Sequence, residues 1–193
     1  MSTSLTIRAR IMYPHLFTPH LFNDDEADAK PMYRASLILR DDDKAVGEVQ
    51  AIVDQLIASE LDGGPVAEDN KTLKRDGTNE ALNGCWVIKS KSQYKPNVLE
   101  NGPTGMVPIM NTDKPADGDW VFANISLYTY NTKGKKGVGA SLNGILFASK
   151  GEVQLGKSSA PTNEEMFGGV VAGAEQQTAP AAATGAGANP FGG

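Results

Sequence analysis

Asp119-Trp120-Val121-Phe122-Ala123-Asn124-Ile125-Ser126-Leu127-Tyr128-Thr129-Tyr130-Asn131 alternates without interruption. Val121, Ala123, Ile125 and Leu127 fall on one side, and Phe122, Asn124, Ser126, Tyr128 and Tyr130 on the other. That two-residue period belongs to a strand with one face in a core. Asn131 to Gly137 then reads Asn-Thr-Lys-Gly-Lys-Lys-Gly, a glycine-flanked basic turn. Val138 to Ala148, with Glu152 to Leu155, supplies a closing hairpin.

Working back from this strand, Cys85 to Ser92 predicts another. Val66 to Asn83 before it is polar and turn-rich and predicts a long surface loop. Val46, Val49, Ile52, Val53, Leu56 and Ile57 recur at helical spacing, which predicts a helix over about 43–60. Asp41 to Asp43 supply its cap and first-turn negative charge, and Asp62-Gly63-Gly64-Pro65 ends it. Met32 to Arg40 and Leu5 to Tyr13 alternate like the first stretch. In the earlier strand Leu5, Ile7, Ala9, Ile11 and Tyr13 share a face, opposite Thr6, Arg8, Arg10 and Met12. About five strands, antiparallel by connection length, and one inserted helix predict a mainly β barrel. An immunoglobulin-like sandwich fits the strand count as well, and the single inserted helix favours the barrel.

The 193 residues suffice for one domain with an appendage. From Ser158 onward the composition turns to Ala, Gly, Thr, Gln and Pro, too poor in apolar surface to offset chain entropy. The expected division is a folded body over 1–157 and a flexible tail over 158–193. No apolar run approaches the ~20 residues of a membrane helix, and the first residues enter a strand pattern with no leader, so a cytoplasmic location is expected. Cys85 is the single cysteine, which leaves neither an internal disulfide nor, with His15 and His20 alone, a zinc set. Beside Trp86 it reads as a packed strand residue.

No phosphate-binding loop, dinucleotide fingerprint, metalloprotease or nucleophile-elbow motif occurs. Asp24, Asp25, Glu26 and Asp28 lack the fixed spacing of a calcium loop and read as a solvated turn. Neither catalysis, a metal nor a cofactor is expected.

The net charge of −5 hides a segregation. The tail holds three glutamates and no Lys or Arg, leaving −2 on the body. Trp120 to Gly151 contains no acid but carries Lys133, Lys135, Lys136 and Lys150. Ala81 to Leu99 contains none either, and carries Lys89, Lys91 and Lys95. Binding single-stranded nucleic acid needs cations along the phosphates and rings on which bases stack. Two segments offer both. One runs from Trp86 to Pro96, with Lys89, Lys91, Tyr94 and Lys95. The other runs from Tyr128 to Lys136, with Tyr128, Tyr130, Lys133, Lys135 and Lys136. Each has a plainer reading. Tyr128 and Tyr130 fit a second apolar layer equally well, Trp86 fits a core better than a contact, and three lysines in a turn fit a solvated tip. Arg8, Arg10 and Arg34 read as weaker candidates, because surface strands carry such charges to block aggregation.

Four segments, taken in order, resemble a family of phage single-stranded DNA-binding proteins once catalogued as a domain of unknown function. They are Arg10 to Phe17 followed by Pro31 to Leu37; Tyr94-Lys95-Pro96-Asn97-Val98; Asp119 to Asn131; and Lys136 to Gly144. The likeness spans about 5–156. It implies an OB-fold, sequence-independent binding of single-stranded DNA in phage replication or recombination, and no catalysis. It also implies a tail that engages phage or host replication proteins, although here the tail is Ala- and Gly-rich and ends Asn-Pro-Phe-Gly-Gly. An exposed barrel edge could pair two subunits. The competing expectation is a phage structural or accessory β-domain making protein contacts.

Overall fold

A computed structural model describes residues 2–21, 29–75, 82–132 and 134–151. The chain divides into two units, Met1–Gly156 and Lys157–Gly193. The second unit, the expected closing strand over 152–155 and the acidic turn over 22–28 lie outside the described residues.

Among the described residues the strands are β1 (Ser2–His20), β2 (Met32–Arg40), β3 (Leu73–Arg75), β4 (Cys85–Ser92), β5 (Asn97–Gly102), β6 (Gly105–Pro108), β7 (Trp120–Thr132) and β8 (Lys135–Ser149), with helix α1 (Lys44–Glu60) between β2 and β3. They form one sheet in the order β3-β4-β2-β1-β7-β8-β5-β6, and an additional β4–β8 pairing closes β4, β2, β1, β7 and β8 into a five-stranded barrel. That circular order is the Greek-key arrangement of an OB-fold. The closing pair, Ser90↔Ala140 and Lys91↔Ser141, is parallel, as is β5 against β8, while the other pairings are antiparallel.

The alternation read from sequence fills the barrel. Ile7, Ala9, Ile11, Leu37, Leu39, Ile88, Val121, Ala123, Ile125, Leu127, Leu142 and Ile145 form one buried cluster. Helix α1 adds Ala45, Val49, Val53 and Leu56 to it. Asp43 caps the helix by accepting from the Ala45 N–H at 2.9 Å, and the chain leaves it through Asp62 and Gly63 in left-handed conformation.

Three differences from the alternation have physical reasons. Met12 and Ile38 face outward, yet they are buried in a small cluster with Val87 and Leu82, against which Cys85 packs. Tyr13 takes φ of 50°, which turns its side chain out to 51% exposure and lets β1 run on irregularly to His20. Trp86 packs partly against the core, but its indole N–H donates to Asp41 at 2.8 Å and the Arg75 guanidinium stacks on its ring at 4.7 Å.

Candidate nucleic-acid interface

Along β4, Ile88, Ser90 and Ser92 are buried while Lys89 and Lys91 are exposed, because only one face of the strand meets the core. Lys91 sits on the seam of the barrel, in register with Arg34 of β2 and Ser141 of β8. The row continues through Ser126 of β7 to Ser4 of β1. Side chains in such a row are neighbours across the sheet. The outside of the barrel thus carries a lane of small polar groups with cations at one end.

The next row is Ser2, Tyr128 and Gly139. A glycine at 139 leaves room for the phenol ring to lie across the neighbouring strand, since a Cβ there would be 2.7 Å from Tyr128 Cζ. Burial, with Tyr130 adding to it, pushes the Tyr128 phenol above its ordinary range, so the ring is neutral at physiological pH. Lys91, Ser92, Gln93, Tyr94, Ser126, Tyr128, Ser141, Asn143, Ser2 and Met32 enclose a groove of about 410 Å³. None of these residues is acidic. Tyr94, 84% exposed, forms its outer wall.

Of the residues expected from sequence, Lys91, Tyr94 and Tyr128 therefore meet in one place. Lys89 points out from the same face of β4, opposite Ser36, without lining the groove. Lys95 is exposed, with its ammonium 5.8 Å from the centre of the Phe17 ring. Tyr130 is half-buried, its hydroxyl donates to the Asn70 carbonyl at 3.4 Å, and it does not line the groove. Lys135 and Lys136 stand at the β7–β8 turn opposite Thr132 and Asn131. Lys133 lies outside the described residues.

With this geometry in view, the chain matches a family model described as Enterobacter phage Enc34, ssDNA-binding protein, over residues 3–178. The chain belongs to this family. The Enc34 single-stranded DNA-binding protein itself superposes with a TM-score of 0.63 at 22% identity, covering 82% of this chain and 87% of that one. The same protein in complex with ssDNA gives 0.63 at 22%, covering 79% and 89%. Gp2.5, a single-stranded DNA-binding protein encoded by bacteriophage T7, gives 0.52 at 14%, covering 83% and 100%. At these identities the likeness is one of fold. No curated protein shows a significant match.

In this Enc34-family chain several groups around the groove escaped the reading of the sequence. Asn143 lies in the groove and donates to Asn124 Oδ1 and Ser126 Oγ, each at 2.8 Å. Phe122 is 40% exposed on the same outward face of β7 as Tyr128. Arg8, its register partner on β1, stacks on Trp120 at 4.6 Å. The alternation already placed Phe122 with the two tyrosines; that shared face was the available signal.

Proposed function

We propose that the chain binds single-stranded DNA without regard to base sequence, along the groove bounded by Lys91, Tyr94 and Tyr128, during phage DNA replication or recombination. One observation carries this reading. In a member of a phage ssDNA-binding family, a cation and two rings drawn from two remote segments converge on a groove lined by no acid. Lysine ammonium groups meet phosphates, rings stack on bases, and neither contact selects a base. Lys89, Lys95, Lys135 and Lys136 do not line the groove, and in this reading they attract the phosphate chain at longer range.

The body over 1–157 is the DNA-binding domain in this reading, and 158–193 is a tail that recruits phage or host replication proteins. Removing residues 180–193 should abolish that recruitment, and unchanged partner binding would discard it. No described helix is long and apolar enough to cross a membrane. We place the protein in the cytoplasm of the infected bacterium as a binding protein without catalytic activity. The strands at the two ends of the sheet, β3 and β6, are the edges through which two copies would pair.

Fluorescence anisotropy of labelled oligo-dT, titrated at low and moderate salt beside a duplex of equal length, tests the reading. The expected result is salt-sensitive binding that prefers the single strand. No binding by folded protein at low salt would reject it in favour of a structural or accessory β-domain that makes protein contacts.

A further inference from the structure

A second depression opens on the same outer surface, beyond the barrel proper. Arg8 of β1, Phe122 of β7, Leu146 of β8, Leu99 of β5 and Pro108 of β6 are successive register partners, a single row across five strands. The hairpin made by β5 and β6 extends the sheet past β8, and its Leu99 and Met106 wall a hollow of about 360 Å³ floored by Phe122 and Leu146. Phe122 is 40% and Met106 64% exposed, so an aromatic face and a thioether are presented to solvent. Asn97, Asn124 and Asn143 stand at the rim, and Asn143 also lines the groove that holds Tyr128.

We propose that this hollow is a second base site for the same DNA strand, with a base stacked on Phe122 beneath Met106 and a phosphate beside Arg8. The inference rests on the proposed function. The floor supplies a π-face that any base can use. Asn143 spends its N–H groups on Asn124 Oδ1 and Ser126 Oγ and keeps its own Oδ1 as an acceptor, while the Asn97 amide carries both a donor and an acceptor, so the rim serves different base edges without choosing among them. The Arg8 guanidinium carbon lies 4.6 Å from the centre of the Trp120 ring, and this cation–π contact uses none of its N–H donors, so a phosphate oxygen can accept from them. Continuity through Asn143 makes a DNA strand the fitting occupant.

Tyr128 and Phe122 are six residues apart on β7, or roughly 20 Å at ~3.3 Å per residue. Bases stacked at the two sites are therefore not neighbours in a strand that rises ~3.4 Å per nucleotide when stacked. The nucleotides between them cross the strip formed by Ser126, Asn124 and Asn143.

Anisotropy titrations of wild type, Phe122→Ala and Tyr128→Ala with oligo-dT of about 4 and about 16 nucleotides, the limits of OB-fold site sizes, test this. Phe122→Ala should weaken the longer oligomer about 5- to 150-fold, the equivalent of one lost base stack, and spare the shorter one held in the lysine-bearing groove. Tyr128→Ala should weaken both. Phe122→Leu keeps apolar cover and removes only the π-face, and it should reproduce most of the loss while melting like wild type. Unchanged affinity of both Phe122 variants for the longer oligomer, with Tyr128→Ala impaired, would overturn the second site alone, as would equal loss on the two lengths. Wild-type protein that binds neither oligomer would instead overturn the function beneath it.

Discussion

Tyr128 and Gly139 are register partners on β7 and β8, and the ring of one occupies the place a side chain on the other would need. Two residues on, Tyr130 and Gly137 repeat the arrangement, with the Asn70 carbonyl packed there as well. Aromatic cover of strand glycines in this way restores packing that the glycine lacks. The two positions should nevertheless respond differently to the same substitution. In Gly139→Ala the new methyl meets only the far end of a tyrosine, which can swing outward, so urea unfolding should stay near wild type while oligo-dT affinity changes. In Gly137→Ala the methyl also meets backbone, which cannot yield, and overpacking should cost about 1–3 kcal/mol.

Tyr128→Ala should weaken oligo-dT binding by about 1–3 kcal/mol whatever the base composition, and Tyr128→Phe should retain most of the affinity, since stacking needs the ring and not the hydroxyl. Anisotropy with dT, dA and dC oligomers of one length would check both statements. Wild-type affinity in Tyr128→Ala would assign the ring a packing role only.

Lys91→Gln should reduce the slope of log affinity against log salt by about 0.7, the contribution of one phosphate contact on a single strand. Titrations across a salt series measure the slope directly. A drop in affinity with the slope unchanged would show that Lys91 acts through the barrel seam and not through phosphate.

Asp41 accepts from the Trp86 indole and from Arg75, and these hydrogen bonds, the Trp86 bond first, hold its carboxyl below the usual carboxylate range. A lowered folded-state pKa stabilises the fold at pH values above the unfolded pKa, near 3.9, and that stability fades as pH falls through the lower folded value. Asp41→Asn should melt at a lower temperature than wild type at pH 7, with the difference narrowing as the solution is acidified below about pH 4. Melting curves over a pH series, followed by circular dichroism, would report a constant difference if the carboxylate charge were immaterial.

The parts of the fold legible in the sequence are those whose own pattern decides them. β7 alternates because one face meets the core along most of its length, β4 runs from Cys85 to Ser92 as its period indicates, and α1 begins after the capping Asp43. β5 and β6 carry no such pattern. Their strand conformation comes from pairing with β8 and with each other, a tertiary cause that the local sequence does not carry. β3, three residues inside the stretch read as a loop, exists only through β4. Met12 and Ile38 look like exceptions to burial until Leu82 is seen to cover them.

The interface divides in the same way. Lys91, Tyr94 and Tyr128 were legible as residue types, while their convergence depends on the β4–β8 closure, which joins segments that are remote in the chain. The sequence left Tyr128 and Tyr130 equivalent, and the contact with Asn70 separates them. Phe122 shared the face of Tyr128 and Tyr130 in the alternation, but its exposure depends on neighbouring strands that leave it uncovered, which the local sequence does not carry.

The place of β1 in the barrel also governs how the protein is made. β2 emerges soon after β1 and can pair with it at once, but the other edge of β1 waits for β7, where Leu5 meets Ile125. At synthesis rates of about 5–20 residues per second, that edge stays open on the ribosome for on the order of ten seconds. Throughout that interval Ser2 to Ala9, whose register partners all lie on β7, have no paired strand. Arg8 and Arg10, interleaved among Ile7, Ala9 and Ile11, put charge on that open stretch, and charge on an unpaired strand opposes its pairing with other chains.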